Sequence, residues 1–244
     1  MSVWNTLKAT ILPKVLTQAR SFLCPIHREG WVIVVLFACV TLLLFHLVTF
    51  LGWLGVVFTI WSLYFFRDPE RVIPQVKDTI ISPADGVLLP IVHVIPPAEL
   101  GLGDTKHTRL SIFMNVFNVH VNRIPIAGVL RHVSYHPGAF HNAALDKASE
   151  QNEHKNYVIQ TDAGHAVAFV QVAGLLARRI KSGGLEGERV EAGERIGIIR
   201  FGSRVDVYLP LSASIRVSEG MITVAGETIL ADFSDRPSVA AVVI

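Results

Sequence analysis

The chain has little with which to bind a diffusible cofactor. Its 244 residues contain no G-x-G-x-x-G fingerprint, no P-loop and no Cys/His set at metal-ligand spacing. The usual sequence signatures of dinucleotide, nucleotide and zinc enzymes are therefore missing. Cysteine is scarce: Cys24 and Cys39 are the only two, and Cys39 lies inside an apolar run. They read neither as a disulfide nor as a metal site, and a reducing compartment fits. The net charge is only +2 and no basic block stands out, so nothing tracks a nucleic-acid backbone. Charged residues make up 17% of the chain against 51% hydrophobic, too apolar a balance for an ordinary soluble enzyme.

The charge deficit is local. Between Trp31 and Phe66 there is no Asp, Glu, Lys or Arg, and His46 is the only strongly polar side chain. A membrane span needs about 20 apolar residues. This run exceeds one span and is short for two, and Gly52 and Gly55 divide it into Trp31–Leu51 and Trp53–Phe66. The alternative is a buried core hairpin. Lys8, Lys14, Arg20 and Arg28 precede the run, and Arg67, Arg71 and Lys77 follow it. Basic flanks on both sides suit a hairpin with both ends cytoplasmic, although Asp68, Glu70 and Asp78 dilute the second flank. A secretory signal is not expected, because the run starts late, is too long for an h-region and lacks a small-residue cleavage site. Residues 1–30 read as an amphipathic helix through Trp4, Leu7, Ile11, Val15 and Leu16, with Pro13 weakening it. Its basic residues suit anionic headgroups. The expected organisation is a helical membrane-association region over 1–66 and a second domain over 67–244.

That second domain reads as β-rich. Strands are expected at Thr79–Ile81, Val87–Val94, Leu110–Phe113, Gly128–Val133, Tyr157–Thr161 and Ala166–Val172, punctuated by Gly and Pro. Ala143–Asn152 fits a short helix or a polar loop, and Val172–Ile180 either extends a strand or turns helical. Glu186-Gly187 recurs as Glu219-Gly220, and Ala192-Gly193-Glu194 recurs as Ala225-Gly226-Glu227 at the same offset. Two such copies resemble the pseudo-symmetric β-sandwich of biotinyl and lipoyl domains, a barrel-sandwich hybrid. The fold class expected is mainly β (α+β) with an N-terminal hydrophobic helical segment. Gly202-Ser203 falls between the two copies, on a connection between strands. Gly and Ser there are ordinary turn residues by themselves.

Four segments in order change that reading: Ser82-Pro83-Ala84-Asp85-Gly86, Phe113 through Pro125, Tyr135-His136-Pro137-Gly138 through Asn152-Glu153, and Phe201-Gly202-Ser203. Together they resemble the phosphatidylserine decarboxylase family in its short bacterial form, from about Arg67 to the C-terminus. The resemblance implies a proenzyme that cuts itself between Gly202 and Ser203. Ser203 then becomes a covalently bound pyruvoyl group that forms a Schiff base with the substrate, and no metal or PLP is needed. It further implies that Asp85 and His120 serve Ser203 as in a serine–histidine–aspartate set. The implied reaction takes phosphatidylserine to phosphatidylethanolamine and CO2 at the cytoplasmic face of the cell membrane. The large and small fragments stay associated, membrane lipids are the surroundings, and nucleic acid is not a partner.

The sequence departs from the long form of that family in two places. Arg204 follows Ser203 where the long form has Thr, and Arg123 stands where it has a second histidine. Either His120 serves both cutting and decarboxylation, or another group takes one role; His132, His136 and His141 are substitutes. Arg123 or Arg204 could hold a phosphate or carboxylate. The polar stretch from His141 to Glu153 lies near the site in the family and carries no assigned catalytic residue here. The rivals are a non-catalytic membrane-anchored barrel-sandwich adaptor, and a pyruvoyl decarboxylase of another seryl lipid or a soluble amino acid. An adaptor has no use for Asp85, His120 and Ser203 together.

Overall fold

The uncharged run forms two helices, α1 (Arg28–Leu47) and α2 (Thr49–Phe65). The computed structural model describes residues 24–138, 152–174, 179–200 and 202–233. The amphipathic helix expected over 1–30 lies almost wholly outside them, as do His141 and most of the polar stretch after it. The chain divides into two compact units, Met1–Glu70 and Arg71–Ile244.

In the first unit the helices break at Val48, which is extended (φ −148°, ψ 114°), and not at the glycines. Gly52 and Gly55 instead sit buried inside α2, where a side chain would run into Phe45 and Thr41 of α1. Their missing Cβ atoms let the two backbones approach, the usual role of small residues between apolar helices. Thr41 and Thr59 share a hydrogen bond across the contact at 3.0 Å. The ends are tied together: His27 N–H donates to the Phe66 carbonyl (2.8 Å) and Asp68 N–H to that of Pro25 (2.7 Å). The hairpin therefore returns the chain to its point of entry. At 20 residues, α1 is long and apolar enough to cross a membrane, and 17% of its apolar window is buried. Val32, Leu36, Leu42, Phe50 and Trp53 are exposed, which is not the pattern of a core hairpin. Cys24 and Cys39 are both free.

The second unit is built of antiparallel strands. The order along the chain is β1 (Thr79–Ile81), β2 (Gly86–Leu88), β3 (Val92–Val94), a 3-10 turn (Ala98–Leu100), β4 (His107–Met114) and β5 (Val121–Arg123). Then follow β6 (Gly128–His136), β7 (His154–Gln160), β8 (Ala166–Ala173), β9 (Ile180–Ser182), β10 (Arg189–Val190) and β11 (Arg195–Ile199). The last are β12 (Ser203–Pro210), β13 (Ser214–Ile215), β14 (Ile222–Thr223) and β15 (Ile229–Asp232). The run expected over Val87–Val94 is thus two strands, β2 and β3.

The large sheet runs β10-β6-β7-β8-β12-β4-β2-β14, with β3 on β4, beside the three-stranded sheets β1-β15-β13 and β5-β11-β9. None of the sheets closes. The order is the same read from either end if β10 is matched with β14, β6 with β2, β7 with β4 and β8 with β12. The domain is therefore two copies of one motif. One copy, β5 to β11, is inserted into the other between β4 and β12. The repeated glycines obey this symmetry. Gly187 N–H donates to the Leu130 carbonyl and Gly220 N–H to that of Leu88. Gly193 and Gly226 both close on Ile73. A second likeness follows the same relation: Ser82-Pro83-Ala84-Asp85-Gly86 matches Ile124-Pro125-Ile126-Ala127-Gly128, and Gly86 and Gly128 each abut a carbonyl of the neighbouring strand.

Strand β12 lies at the centre and is buried on both faces. Val205, Val207 and Leu209 join Ile112, Met114 and Phe169 in the main core. Tyr208 joins Leu100, Ala168, Val170 and Val172 in a second cluster. The turn glycines give a stability test. Gly187 and Gly193 both have left-handed φ (85° and 82°), but only Gly193 is hemmed in, by Ile73. Gly187→Ala is expected to lose about 1–2 kcal/mol from backbone strain alone. Gly193→Ala must also displace Ile73 and is expected to lose roughly 1–3 kcal/mol more. Urea midpoints measured in a Ser203→Ala background check this; equal losses at the two positions would count against the packing account.

Candidate active site

Ser203 opens β12, with Met114 on β4 and Ala173 on β8 as its register partners. It is fully buried, and its hydroxyl has no hydrogen-bond partner among the described residues. Burying a hydroxyl unpaired costs about 1–3 kcal/mol, so the position is held against a penalty. Gly202 before it has φ +60°, and a Cβ there would meet nothing within 4 Å. Glycine is needed for the left-handed backbone rather than for space.

A small polar patch shares this part of the core. Gln171 lies opposite Val205, two residues along the same face of β12. Its Nε2 donates to Asn122 Oδ1 (2.8 Å), and Asn122 Nδ2 reaches Met114 Sδ (3.6 Å). Both amides are wholly buried. Gln171 was not singled out from the sequence; an isolated Gln in an apolar strand looks like any solvent-facing residue.

His120 is buried immediately before β5. Its carbonyl accepts from Ile199 N–H (3.3 Å), which fixes it beside the end of β11. Its Nδ1 lies 3.0 Å from the Asn118 carbonyl. A carbonyl can only accept, so Nδ1 carries the proton and the lone pair of the neutral ring is on Nε2.

Asp85 lies in the turn before β2, two strands from β12, or roughly 10 Å across the sheet. Its carboxylate is bound by Arg71 Nη2 at 3.0 and 2.8 Å and by the Ala225 N–H at 2.7 Å. Asp85 and Arg71 are each about one-seventh exposed, at 14% and 13%. Arg123 donates to the Gly193 carbonyl (2.7 Å), and it and Arg71 both flank Gly226. Asp85 therefore faces Arg71, and the Ser203 hydroxyl and His120 Nε2 make no hydrogen bond to it or to each other. Arg71 was legible only as part of a charged exit loop.

The other candidates are engaged elsewhere. Arg204 points to the opposite face of β12 and pairs with Asp206 (2.8 Å), both buried. His132 pairs with Glu186 (2.8 Å), and the Val133 N–H together with His132 holds the Glu186 carboxyl below its usual range. His136 lies against Glu99 and His154. The internal duplication isolates the site further. Arg204 opposite Phe113 corresponds to Ala166 opposite Gln160, which puts Ser203 at the place of His165, and Asp85 corresponds to Ala127. In the inserted copy β7 and β8 are joined by a tight turn, with Thr161 N–H donating to the His165 carbonyl. In the other copy the whole insertion replaces that turn, and Gly202-Ser203 is where it rejoins.

A family model described as phosphatidylserine decarboxylase matches residues 58–231. The chain belongs to the phosphatidylserine decarboxylase family. Its relatives include proteins that bear the name phosphatidylserine decarboxylase proenzyme. The one from Rickettsia bellii (strain OSU 85-389) is 54% identical over 208 residues. Those from Rickettsia akari (strain Hartford) and Rickettsia africae (strain ESF-5) are 53% and 52% identical. Each match covers 85% of this chain and 90% of the relative. The part matched to the phosphatidylserine decarboxylase family contains Asp85, His120, Gly202 and Ser203, and leaves the adaptor alternative without support.

Proposed function

We propose that this protein is a self-processing phosphatidylserine decarboxylase, cut between Gly202 and Ser203. The observation that carries the reading is the buried Ser203 hydroxyl, without a hydrogen-bond partner among the described residues, behind a left-handed glycine, in a chain of this family. Ser203 Oγ attacks the Gly202 carbonyl, forming an ester as the peptide bond breaks. Loss of the Ser203 Cα proton then expels the Gly202 carboxylate, and water replaces the nitrogen with release of ammonia. Glycine at 202 holds the left-handed backbone that presents this carbonyl.

His120 is the proton carrier, with Nε2 as the accepting atom once Nδ1 is committed to Asn118. Asp85, clamped by Arg71 and the Ala225 N–H, sets the charge and position of the turn that borders the site. Once formed, a pyruvoyl group at residue 203 supplies the electron-poor carbonyl that delocalises the electron pair left by departing CO2. Ser203 Oγ and Gln171 Oε1, both buried without a hydrogen-bond partner among the described residues, fit a position that acquires a polar group. The apolar hairpin holds the enzyme at the bilayer where the lipid substrate resides, with both chain ends on the cytoplasmic side. Residues 1–66 form this membrane region and 67–244 the catalytic domain.

The test combines mass and substrate. Purified protein is expected as Met1–Gly202 and a small piece with a blocked N-terminus. Phosphatidylserine in mixed micelles is expected to be turned over at least a hundredfold faster than free serine, because lipid anchorage concentrates it at the site. A single uncut, active polypeptide overturns the processing. Equal rates on both substrates overturn the phospholipid assignment.

A further inference from the structure

A group of side chains outside the Ser203 site has the makings of a cation site. His136 on β6 and His154 on β7 are register partners, so both imidazoles stand on one face of the large sheet. Their rings stack with centroids 4.8 Å apart and planes 12° from parallel. Glu99 reaches the pair from the 3-10 turn that follows β3. One donor atom from each residue lies within 4.8 Å of the other two.

The donors are already oriented. His154 Nδ1 lies 2.7 Å from the Asn152 carbonyl and so donates its proton there. The second ring nitrogen, Nε2, is 2.8 Å from Glu99 Oε1. A lone pair and a carboxylate oxygen do not approach so closely without positive charge between them, which is a proton or a metal ion. His136 Nε2 is 3.4 Å from the other carboxylate oxygen. Asn156 Nδ2 donates to Glu99 Oε1 (3.0 Å) and fixes the carboxylate. Burial works against the charge on Glu99, yet Asn156, His154 and His136 hold its carboxyl below the usual range, so it is an anion at neutral pH. A backbone carbonyl on the far nitrogen of a ligating histidine and an amide on the carboxylate are the outer contacts that metal sites use.

We infer that Glu99, His136 and His154 form a binding site for one divalent ion of the zinc class. Two imidazoles and a carboxylate suit zinc and its first-row neighbours over calcium or magnesium. Three protein ligands leave the remaining position to water. Glu99 and His136 are each about a third exposed, at 31% and 38%, and Glu99 also lines a cleft of about 610 Å³, so an ion has a way in. The site ties β6 and β7 to the 3-10 turn, and it stands whether or not the decarboxylase reading holds.

The test uses tag-free, full-length protein in detergent, stripped with chelator and titrated with zinc by calorimetry. One ion per chain is expected, with affinity reduced at least a hundredfold in His154→Ala and in Glu99→Gln. Asn156→Ala is expected to weaken it about 10- to 100-fold through the outer contact. Cobalt(II) is expected to give visible d–d bands that zinc abolishes. Glu99→Gln changes a partly exposed side chain by one atom, and its circular dichroism verifies that the fold is kept. No binding to the native chain overturns the inference. So does zinc binding that survives both Glu99→Gln and His154→Ala, since the ion would then sit on other histidines.

Discussion

Ser203→Ala is expected to leave one uncut polypeptide with no measurable decarboxylation. The substitution removes the only atom that can attack the Gly202 carbonyl, and with it the source of the electron-poor group. Its register partners, Met114 and Ala173, offer no nucleophile in its place. Intact mass reads the first effect and release of CO2 from phosphatidylserine the second. Alanine also removes a buried hydroxyl that has no hydrogen-bond partner among the described residues. The variant should therefore be at least as stable as any other uncut variant, so its inactivity cannot be ascribed to unfolding. A cut Ser203→Ala chain, or an uncut one that turns over lipid, would falsify the self-processing scheme.

His120→Ala is expected to slow cutting by about 10²- to 10⁴-fold, the range for losing a positioned proton carrier. The half-time of precursor disappearance on a gel measures it. Asp85→Asn is expected to slow cutting less. Asparagine still offers an oxygen to the Ala225 N–H but releases Arg71 from its ion pair. If Asp85 instead acted directly on His120 or Ser203, the two variants would be equally slow. Wild-type cutting in His120→Ala would remove it from the mechanism.

Much of the fold could be read from residue order. Strands β1, β4, β6, β7 and β8 were visible because alternation and Gly/Pro boundaries are local properties of the chain. The paired glycines of the repeat were visible because a left-handed turn demands glycine wherever it occurs. The helical hairpin was visible through missing charge, but its break was misplaced. Gly52 and Gly55 look like a turn in sequence, whereas in the structure they allow α2 to pack closely on α1.

What could not be read depends on register across distant segments. Asp85 was noticed as a candidate, but that Arg71 holds it follows only from the folding of the loop before β1. The insertion of one copy into the other separates matching strands unequally, so β4 and β7 show no obvious repeat. Glu99, His136 and His154 are far apart in sequence and carry no metal-ligand spacing; pairing of β6 with β7 brings two of them together.

The central position of β12 has a consequence for refolding. In the proposed precursor, β12 is joined to the segment before it by one peptide bond, and closing the sheet is an intramolecular event. After the proposed cut the small piece would carry β12 to β15, with β12 lying between β4 and β8 and paired along its whole length with β4. Unfolding then yields two molecules. Recovery would require a free strand to find a gap in the middle of a sheet, where the edges of β4 and β8 left unpaired can meanwhile pair with other chains. A protein cut as proposed would thus be a one-way product, whose persistence is set by how slowly it opens rather than by an equilibrium it can return to.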